Sequence, residues 1–390
     1  MKITQATWVR YHHFDLAREL NHMGLLGDIY STLPWWRLDA EAKSNSIERS
    51  RIHGFPYVTG VRRAARVLLR GAAPVDEKLA VLDTKIFSRW LATKIKDVDA
   101  FIGISGTGLH AGRKVKSQGG VYVMDRGSAH IRESNDILDR EYKRWGHEWR
   151  PINSWLMENE DRESEEADLI TVPSEFVART FYARGVDRTK VRVIPYGVNL
   201  KEFYPADDFE ARRVTHQFNL LFVGNFSIRK GAGYLLEAMR LLQKDKVQLT
   251  VVGNIPDETQ QLINKLGSER ITFKGVVPRS EVRQYMSQAD ALVLPSVEEG
   301  LALVQAQALA CGCPVIATPN TGSESLFRHL QEGLIIDPYD SASIVAAVRQ
   351  LHGSPELLLK MRVAGVAMTA QLGGWRNYAD GIVNAIRSVR

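Results

Sequence analysis

Cysteine is nearly absent from this 390-residue sequence, which contains only Cys311 and Cys313. Two thiols in a C-x-C pair cannot form a disulfide framework, and no further cysteine is present to complete a zinc site. We therefore expect two reduced thiols in the core of a cytoplasmic protein.

Long apolar runs are also missing. The first ten residues, MKITQATWVR, contain no apolar core, so we expect no secretion signal. Residues 301–323 carry no charge, but their glutamines, glycines and prolines favour a buried helix and strand over a membrane span. The Walker motif G-x-x-x-x-G-K-(S/T) is absent, which excludes a P-loop NTPase. His12 and His13 have no further ligands near them in the sequence, so no metal site is expected.

The composition is typical of a soluble globular protein of two domains, with 44% hydrophobic and 25% charged residues. The charge is uneven: residues 1–116 hold 19 Lys and Arg against 11 Asp and Glu, a net +8, whereas residues 117–170 hold 7 against 13, a net −6. The basic first third suits an anionic partner, such as a phosphate-bearing acceptor or an acidic membrane surface, or it is a solvated face. We expect no nucleic-acid partner, and the sequence indicates no oligomeric state.

The second half alternates apolar runs with helix-forming segments. The predicted strands are residues 220–224, 249–253, 271–275, 291–295, 314–318 and 334–337. The predicted helices are Tyr234–Gln243, Asp257–Leu266, Arg279–Ala289 and Leu301–Cys311. Apolar strands separated by helices predict a parallel sheet covered on both faces, and hence a Rossmann-like α/β layer.

The first half shows the same pattern less regularly. Its predicted strands are residues 2–8, 99–105, 121–125, 168–172 and 191–195, and its predicted helices are residues 14–23, 109–117 and 174–184. Residues 196–209 are rich in turn formers and predict a linker. The chain is therefore predicted to be an α/β protein with two Rossmann-like domains.

Residues 35–98 are harder to assign. They contain Trp35, Trp36 and the segment VRRAARVLLR (61–70), whose apolar residues fall on one helical face. Its arginines lie mostly elsewhere on that helix: Arg62, Arg63, Arg66 and Arg70. Such a helix can lie on an anionic membrane or pack on its own domain, and both interpretations stay open.

The segment PSVEEGLALVQAQALACGCPVIAT, from Pro295, is the most informative part of the chain. A buried strand leads into an acidic turn that ends in Glu299, a helix follows, and a glycine and a proline end it. This places a helix N-terminus at the carboxyl end of a parallel strand, where open α/β sheets bind ligands. Three backbone N–H groups are expected to face an anionic ligand there, those of Gly300, Leu301 and Ala302.

This segment resembles the donor-site signature of the family 4 retaining glycosyltransferases, which have the GT-B fold. The family pattern is E-x7-E; Glu299 matches its first acid, whereas Gln307 stands at the second. The resemblance covers roughly residues 165–340. It implies two Rossmann-like domains facing across a cleft, an acceptor-binding domain (1–198) and a nucleotide-sugar domain (199–374), with a C-terminal helix (375–390) packed back on the first domain.

The same resemblance implies roles for individual residues. Glu299 is expected to contact the donor sugar and Gln307 the ribose. A glutamine can hydrogen-bond to a diol, without the charge-assisted strength of a carboxylate.

The segment VGNFSIRKGAGYLLEAM, from Val223, resembles the family's diphosphate-binding loop. Arg229 and Lys230 stand before a predicted helix, and two cations can offset the charge of a nucleotide diphosphate. The family often has Arg directly after the first glycine; here Asn225 occupies that place, so Arg229 or Lys230 takes over its role. Gly224 and Val276 complete the expected nucleotide contacts.

The segment VYVMDRGSAHIRES (121–134) ends a predicted strand of the first domain. Asp125, Arg126, Ser128 and His130 are expected to face the cleft. Relatives often place a histidine after this strand, near the sugar. His130 is therefore the candidate contact to the transferred sugar, and a structural histidine is the alternative.

A competing motif lies in SGTGLHAGRK, where Gly106, Gly108 and Ala111 form G-x-G-x-x-A after a predicted strand. Asp125 ends the next strand, as does the ribose-binding acid of dinucleotide-binding domains. A nicotinamide oxidoreductase is thus a competing hypothesis. In the glycosyltransferase interpretation the same loop lines the cleft.

The resemblance implies a retaining, metal-independent hexosyltransferase with a UDP- or GDP-sugar as donor and no other cofactor. Relatives with a basic acceptor domain often build surface polysaccharide on lipid-linked carriers at the cytoplasmic membrane face, which is the expected acceptor and location. The alternatives are an epimerase or phosphorylase of the same fold, or a non-catalytic partner that binds sugar nucleotides.

Overall fold

The computed structural model describes residues 1–55, 60, 73–207, 209–210 and 217–390. Its strands form two parallel sheets. The first contains β1 (Ile3–Thr7), β2 (Leu26–Ser31), β3 (Ile52–Gly54), β4 (Ala100–Ile104), β5 (Val121–Asp125), β6 (Leu169–Val172) and β7 (Val191–Val193), in the order β3-β2-β1-β4-β5-β6-β7. The second contains β8 (Phe218–Val223), β9 (Val247–Val252), β10 (Ile271–Gly275), β11 (Ala291–Leu294), β12 (Val315–Ala317) and β13 (Gly333–Ile335), in the order β10-β9-β8-β11-β12-β13.

Helices cover both sheets. Those of the first half are α1 (His13–His22), α2 (Trp35–Ser44), α3 (Ala73–Lys94), α4 (Leu109–Ser117), α5 (Ile131–Arg144), α6 (Ser154–Glu166) and α7 (Glu175–Ala183). Those of the second half are α8 (Ala232–Leu241), α9 (Asp257–Leu266), α10 (Arg279–Gln288), α11 (Leu303–Ala310), α12 (Ser341–Gly353), α13 (Pro355–Gln371) and α14 (Gly374–Arg387). The central strands β1, β5 and β11 are buried along their whole length, which explains why they appear as continuous apolar runs.

The predicted α/β architecture is confirmed, and every predicted strand is present within two residues at each end. The sequence did not predict β2 or β3, nor the helices α2, α3, α5, α6, α12 and α13. The helix predicted over residues 61–70 lies outside the described residues. One boundary was wrong at the site: α11 begins at Leu303, not Leu301, because the chain stays extended through its N-cap residue Ala302.

The last helix, α14, packs against α1 and β6 of the first sheet, although it follows the second sheet in the chain. Cys311 and Cys313 are buried and form no disulfide. Burial raises the pKa of the Cys311 thiol to about 12. Within the described residues, no helix combines the length and apolar character needed to cross a bilayer.

Candidate active site

A cleft of about 960 Å³ lies between the two sheets, at the carboxyl ends of their strands. The first sheet lines it with the segments after β1, β4 and β5, and the second sheet with those after β8 and β11. Open α/β sheets bind ligands at this edge. The cleft is therefore the candidate active site.

Arg229 and Lys230 lie in a short 3-10 turn between β8 and α8 and line the cleft together with Gly224 and Asn225. The turn ends at Gly231, whose φ of 76° is left-handed. A Cβ atom there would lie 2.0 Å from the carbonyl oxygen of Pro295, so this position requires glycine. The close approach holds the two cations against the acidic turn after β11.

The acidic turn pairs with both cations. The Arg229 Nε donates to Glu298 Oε2 at 2.6 Å, its Nη2 lies 3.7 Å from Glu299 Oε1, and Lys230 forms an ion pair with Glu299 Oε2. Burial opposes the charge on Arg229, but the two carboxylates outweigh it and raise its pKa. Burial likewise opposes ionisation of Glu299, but Lys230 and Arg229 lower its pKa below the ordinary range. Arg229 and Glu299 are therefore both charged at neutral pH.

The acidic turn also joins the two halves of the molecule. Glu298, which is 1% exposed, accepts the backbone N–H of Ala129 through Oε1 at 2.9 Å. The hydroxyl of Ser174 donates to the carbonyl oxygen of Gly300 at 2.7 Å. A Cβ atom on Gly300 would lie 1.7 Å from the carbonyl oxygen of Gly127. The contact between the two halves of the molecule therefore depends on the glycine that follows Glu299 in the acidic turn.

The expectation that the backbone N–H of Ala302 faces an anionic ligand was wrong. This N–H donates to the carbonyl oxygen of Thr321 at 3.2 Å, because the chain is still extended there and runs beside that loop. Leu301 and Ala302 nevertheless line the cleft. They offer it apolar side chains.

Three expected nucleotide contacts do not line this cleft: Gly300, Gln307 and Val276. Gln307 lies one helical turn after Leu303 in α11 and is partly buried. Val276, after β10, is 79% exposed and lies away from the lining. All three remain predicted nucleotide contacts.

His130 does not line the cleft, although Arg126 and Ser128 from the same segment do. It is the N-cap of α5: its Nδ1 accepts the backbone N–H of Arg132 at 3.3 Å, and its ring meets Phe181 edge-on at 4.9 Å. Burial lowers the pKa of His130 to about 4, so the imidazole is neutral. In this structure His130 has the structural role that was the alternative interpretation.

The glycine loop after β4 is already occupied by an acidic side chain of the protein. The carboxyl group of Glu163, fully buried in α6, accepts the backbone N–H groups of Gly106 at 2.7 Å, Gly108 at 2.8 Å and Leu109 at 3.1 Å, and burial raises its pKa to about 8. These are the groups that a dinucleotide pyrophosphate would need. The expected ribose-binding acid, Asp125, is 3% exposed and bonded within the protein. The geometry argues against the oxidoreductase hypothesis.

The sequence analysis missed a cluster formed by His12, His13 and Asp125. The Nε2 of His12 lies 2.8 Å from Asp125 Oδ2, and the Nε2 of His13 lies 3.6 Å from the same oxygen. The three residues meet because β1 and β5 flank β4 in the same parallel sheet, so the loops that follow them share one edge. No local spacing in the sequence signals this meeting, because it depends on the strand order.

Two family models match the chain. One, described as "Glycosyl transferases group 1", matches residues 204–366, and the other, "Glycosyltransferase Family 4", matches residues 11–202. A similar curated protein is D-inositol 3-phosphate glycosyltransferase of Pseudarthrobacter chlorophenolicus, 31% identical over 55% of this chain and 54% of that protein. The putative glycosyltransferase EpsD of Bacillus subtilis is 29% identical over 55% of this chain and 58% of that protein. The chain thus spans about half the length of the curated relatives it matches.

Solved structures match over the full chain. Sucrose-phosphate synthase of Thermosynechococcus elongatus has a TM-score of 0.70 at 20% identity, covering 100% of this chain and 98% of that one. HepE of Anabaena, solved in complex with UDP-glucose, has a TM-score of 0.68 at 15% identity, covering 100% of both chains. At these identities the likeness establishes the fold.

Proposed function

Because the chain belongs to the group 1 glycosyltransferases of the GT-B fold, we propose that it transfers a sugar from a nucleotide-diphosphate sugar to an acceptor. The observation that carries this proposal is the charged cluster in the cleft. Arg229 and Lys230 are held by Glu298 and Glu299 at the carboxyl ends of β8 and β11. A diphosphate entering the cleft would meet two preorganised cations.

The proposed reaction retains the anomeric configuration and needs no metal ion. The bond between the anomeric carbon and the diphosphate breaks, and Arg229 and Lys230 stabilise the negative charge that develops on the leaving oxygen. The acceptor oxygen bonds to the same face of the anomeric carbon, and its proton passes to the departing phosphate. Glu299, kept ionised by its neighbours, orients the donor sugar through its hydroxyl groups.

We propose a UDP- or GDP-hexose as donor. HepE, which shares the fold, was solved with UDP-glucose. Gln307 is the proposed ribose contact, and a glutamine amide can both donate to and accept from a diol.

The proposed acceptor is a lipid-linked glycan at the cytoplasmic face of a membrane. Trp35 and Trp36, at the start of α2, are 65% and 58% exposed. Exposed tryptophans in a first third of the chain with net positive charge suit the boundary between lipid head groups and water. A surface of this kind would bring the first domain to a membrane-held acceptor.

A panel of nucleotide sugars tests the proposal, read first by thermal shift and then by release of nucleoside diphosphate. We expect one UDP- or GDP-sugar to stabilise the protein and to be turned over, with the product anomer matching the donor. Conversion of the sugar nucleotide without transfer would indicate an epimerase, and binding without turnover a non-catalytic partner. No binding of any nucleotide sugar would reject the proposed function.

A further inference from the structure

The imidazole of His12 is one of the groups in the cleft that the proposed function leaves unused. His12 is the N-cap residue of α1 and lines the cleft, although only 8% of it is exposed. Its ring is held on two sides, by Tyr196 with ring centres 4.4 Å apart and by Tyr378 edge-on at 5.8 Å. The orientation of the imidazole is therefore fixed by packing.

Asp125 determines which nitrogen of His12 carries the proton. Its Oδ2 lies 2.8 Å from His12 Nε2, and its Oδ1 accepts the hydroxyl of Thr171 at 2.7 Å. Burial raises the pKa of Asp125, but its hydrogen-bonded neighbours outweigh this effect and the net shift is downward, so the carboxylate only accepts. The proton of a neutral His12 must then sit on Nε2, which leaves Nδ1 with a free lone pair.

The Nδ1 atom of His12 forms no hydrogen bond within the described residues. It is also not among the polar atoms that are shut off from solvent without a partner, whereas both ring nitrogens of His13 are. An oriented acceptor at the wall of a cleft suits a ligand that donates a hydrogen bond. A phosphate oxygen cannot do so at neutral pH, whereas a sugar hydroxyl can.

We propose that His12 Nδ1 accepts a hydrogen bond from a hydroxyl group of the bound sugar substrate, with Asp125 as the positioning residue that fixes the tautomer. This inference rests on the proposed glycosyl transfer. It places a substrate contact of the first domain in the β1–α1 loop, opposite the donor cluster of the second.

Two substitutions separate the two ring nitrogens. His12→Gln keeps an N–H donor near the Nε2 position for Asp125 and removes the acceptor near Nδ1. His12→Asn keeps an acceptor near Nδ1 and loses the bond to Asp125. We expect turnover of the best donor from the nucleotide-sugar panel to fall about tenfold or more in His12→Gln and markedly less in His12→Asn. We expect the order of thermal stability to be the reverse.

A second variant protects the test against misfolding. If His12→Asn unfolds because the Asp125 charge is left buried, the double variant His12→Asn/Asp125→Asn removes that charge and keeps the acceptor. Asp125→Asn should lower turnover when His12 is present. It should cause no further loss of turnover in the His12→Gln background. If Asp125 contributes only to stability, Asp125→Asn should lower the melting temperature in both backgrounds, and its effect on turnover should not depend on the residue at position 12.

The same sheet offers a matched control. His53 Nε2 lies 2.9 Å from Asp28 Oδ1, a similar imidazole–carboxylate pair that does not line the cleft. His53→Gln and His53→Asn should leave turnover unchanged.

Affinities for UDP and UDP-glucose, or for GDP and GDP-mannose, identify the source of the hydroxyl. Loss of affinity for the nucleotide sugar alone in His12→Gln assigns it to the donor sugar, and unchanged affinities with lost turnover assign it to the acceptor. Equal turnover in His12→Gln and His12→Asn, or wild-type turnover and affinity in His12→Gln, would overturn the proposal. A wild-type protein that binds no nucleotide sugar would instead reject the function on which it rests.

Discussion

Lys230 is the residue on which the proposed chemistry depends most directly. Its side chain is 18% exposed and its only ion pair among the described residues is with Glu299. Lys230→Ala should lower turnover by a factor of ~10² to 10³, because it removes a charge that stabilises the leaving diphosphate. Steady-state release of nucleoside diphosphate measures this, with Lys265→Ala, an exposed lysine in α9, as the control. Wild-type turnover in a folded Lys230→Ala protein would rule out the assignment.

Gln307 tests the departure from the E-x7-E pattern. If it binds the ribose, Gln307→Ala should raise the nucleotide dissociation constant about tenfold, and Gln307→Glu should be tolerated, since a carboxylate accepts the same diol. Calorimetric titration with UDP and GDP checks both. Gln305, two residues earlier, is the contrasting glutamine: its amide donates to the carbonyl oxygen of Thr321 at 2.8 Å, so Gln305→Ala should lower stability. Unchanged nucleotide binding in Gln307→Ala would show that Gln307 does not contact the ribose and only packs within the protein.

At the scale of single residues, the sequence placed Arg229, Lys230 and Glu299 in the cleft, because each follows a predicted strand within a segment that matches a family pattern. Lys230 and Glu299 are nevertheless 69 residues apart and meet because β8 and β11 are neighbours in the second sheet. His12 and Asp125 are 113 residues apart and meet only through the strand order. His130 was assigned to the cleft because it follows a strand, whereas the chain had already begun its next helix there.

Helix α5 depends on a titratable cap. His130 Nδ1 can accept the Arg132 N–H only while the imidazole is neutral, and burial lowers its pKa from the ordinary 6.5 to about 4. The unfolded state therefore takes up a proton between pH 6.5 and pH 4 and the folded state does not, so stability is full above pH 6.5 and is lost as the pH falls through that window.

His130→Asn keeps a good N-cap and removes the titration. We expect the wild-type free energy of unfolding, relative to His130→Asn, to fall by up to about 1.4 kcal/mol per pH unit between pH 6.5 and pH 4. Urea unfolding at half-unit pH intervals measures the difference. Parallel stability curves for the two proteins would contradict this account of the cap.

At the scale of elements, the second sheet was predictable because its strands are short apolar runs and its helices have clear ends. Helices α5 and α6 were missed because they are rich in charge, and their buried polar residues hold the structure together. Glu141 accepts the Tyr234 hydroxyl at 2.7 Å, and Glu163 caps the glycine loop. The sequence alone does not distinguish a buried glutamate that makes such a contact from a glutamate exposed to solvent.

At the scale of the molecule, the proposed membrane surface is open to test. The exposed Trp35 and Trp36 and the net +8 of residues 1–116 should give peripheral binding to anionic vesicles, weakened by salt because the attraction is screened. Co-sedimentation at low and high salt measures this binding. Trp35→Ser/Trp36→Ser should weaken it and leave UDP and GDP binding intact. Replacing Arg62, Arg63, Arg66 and Arg70 with Gln should do the same.

Failure to sediment with anionic vesicles at low salt would favour a soluble acceptor. The arginines would then be a solvated face, as the sequence analysis left open.

The glycine pair where the domains meet limits how this protein can evolve. Position 300 follows the acidic turn after β11, yet the space for its side chain is occupied by the Gly127 carbonyl oxygen of the other domain. A substitution there cannot be accommodated by either domain alone, because relief for one displaces the other. We therefore expect substitutions at this contact to occur together in the two domains. Residues on the exposed remainder of each surface can change independently.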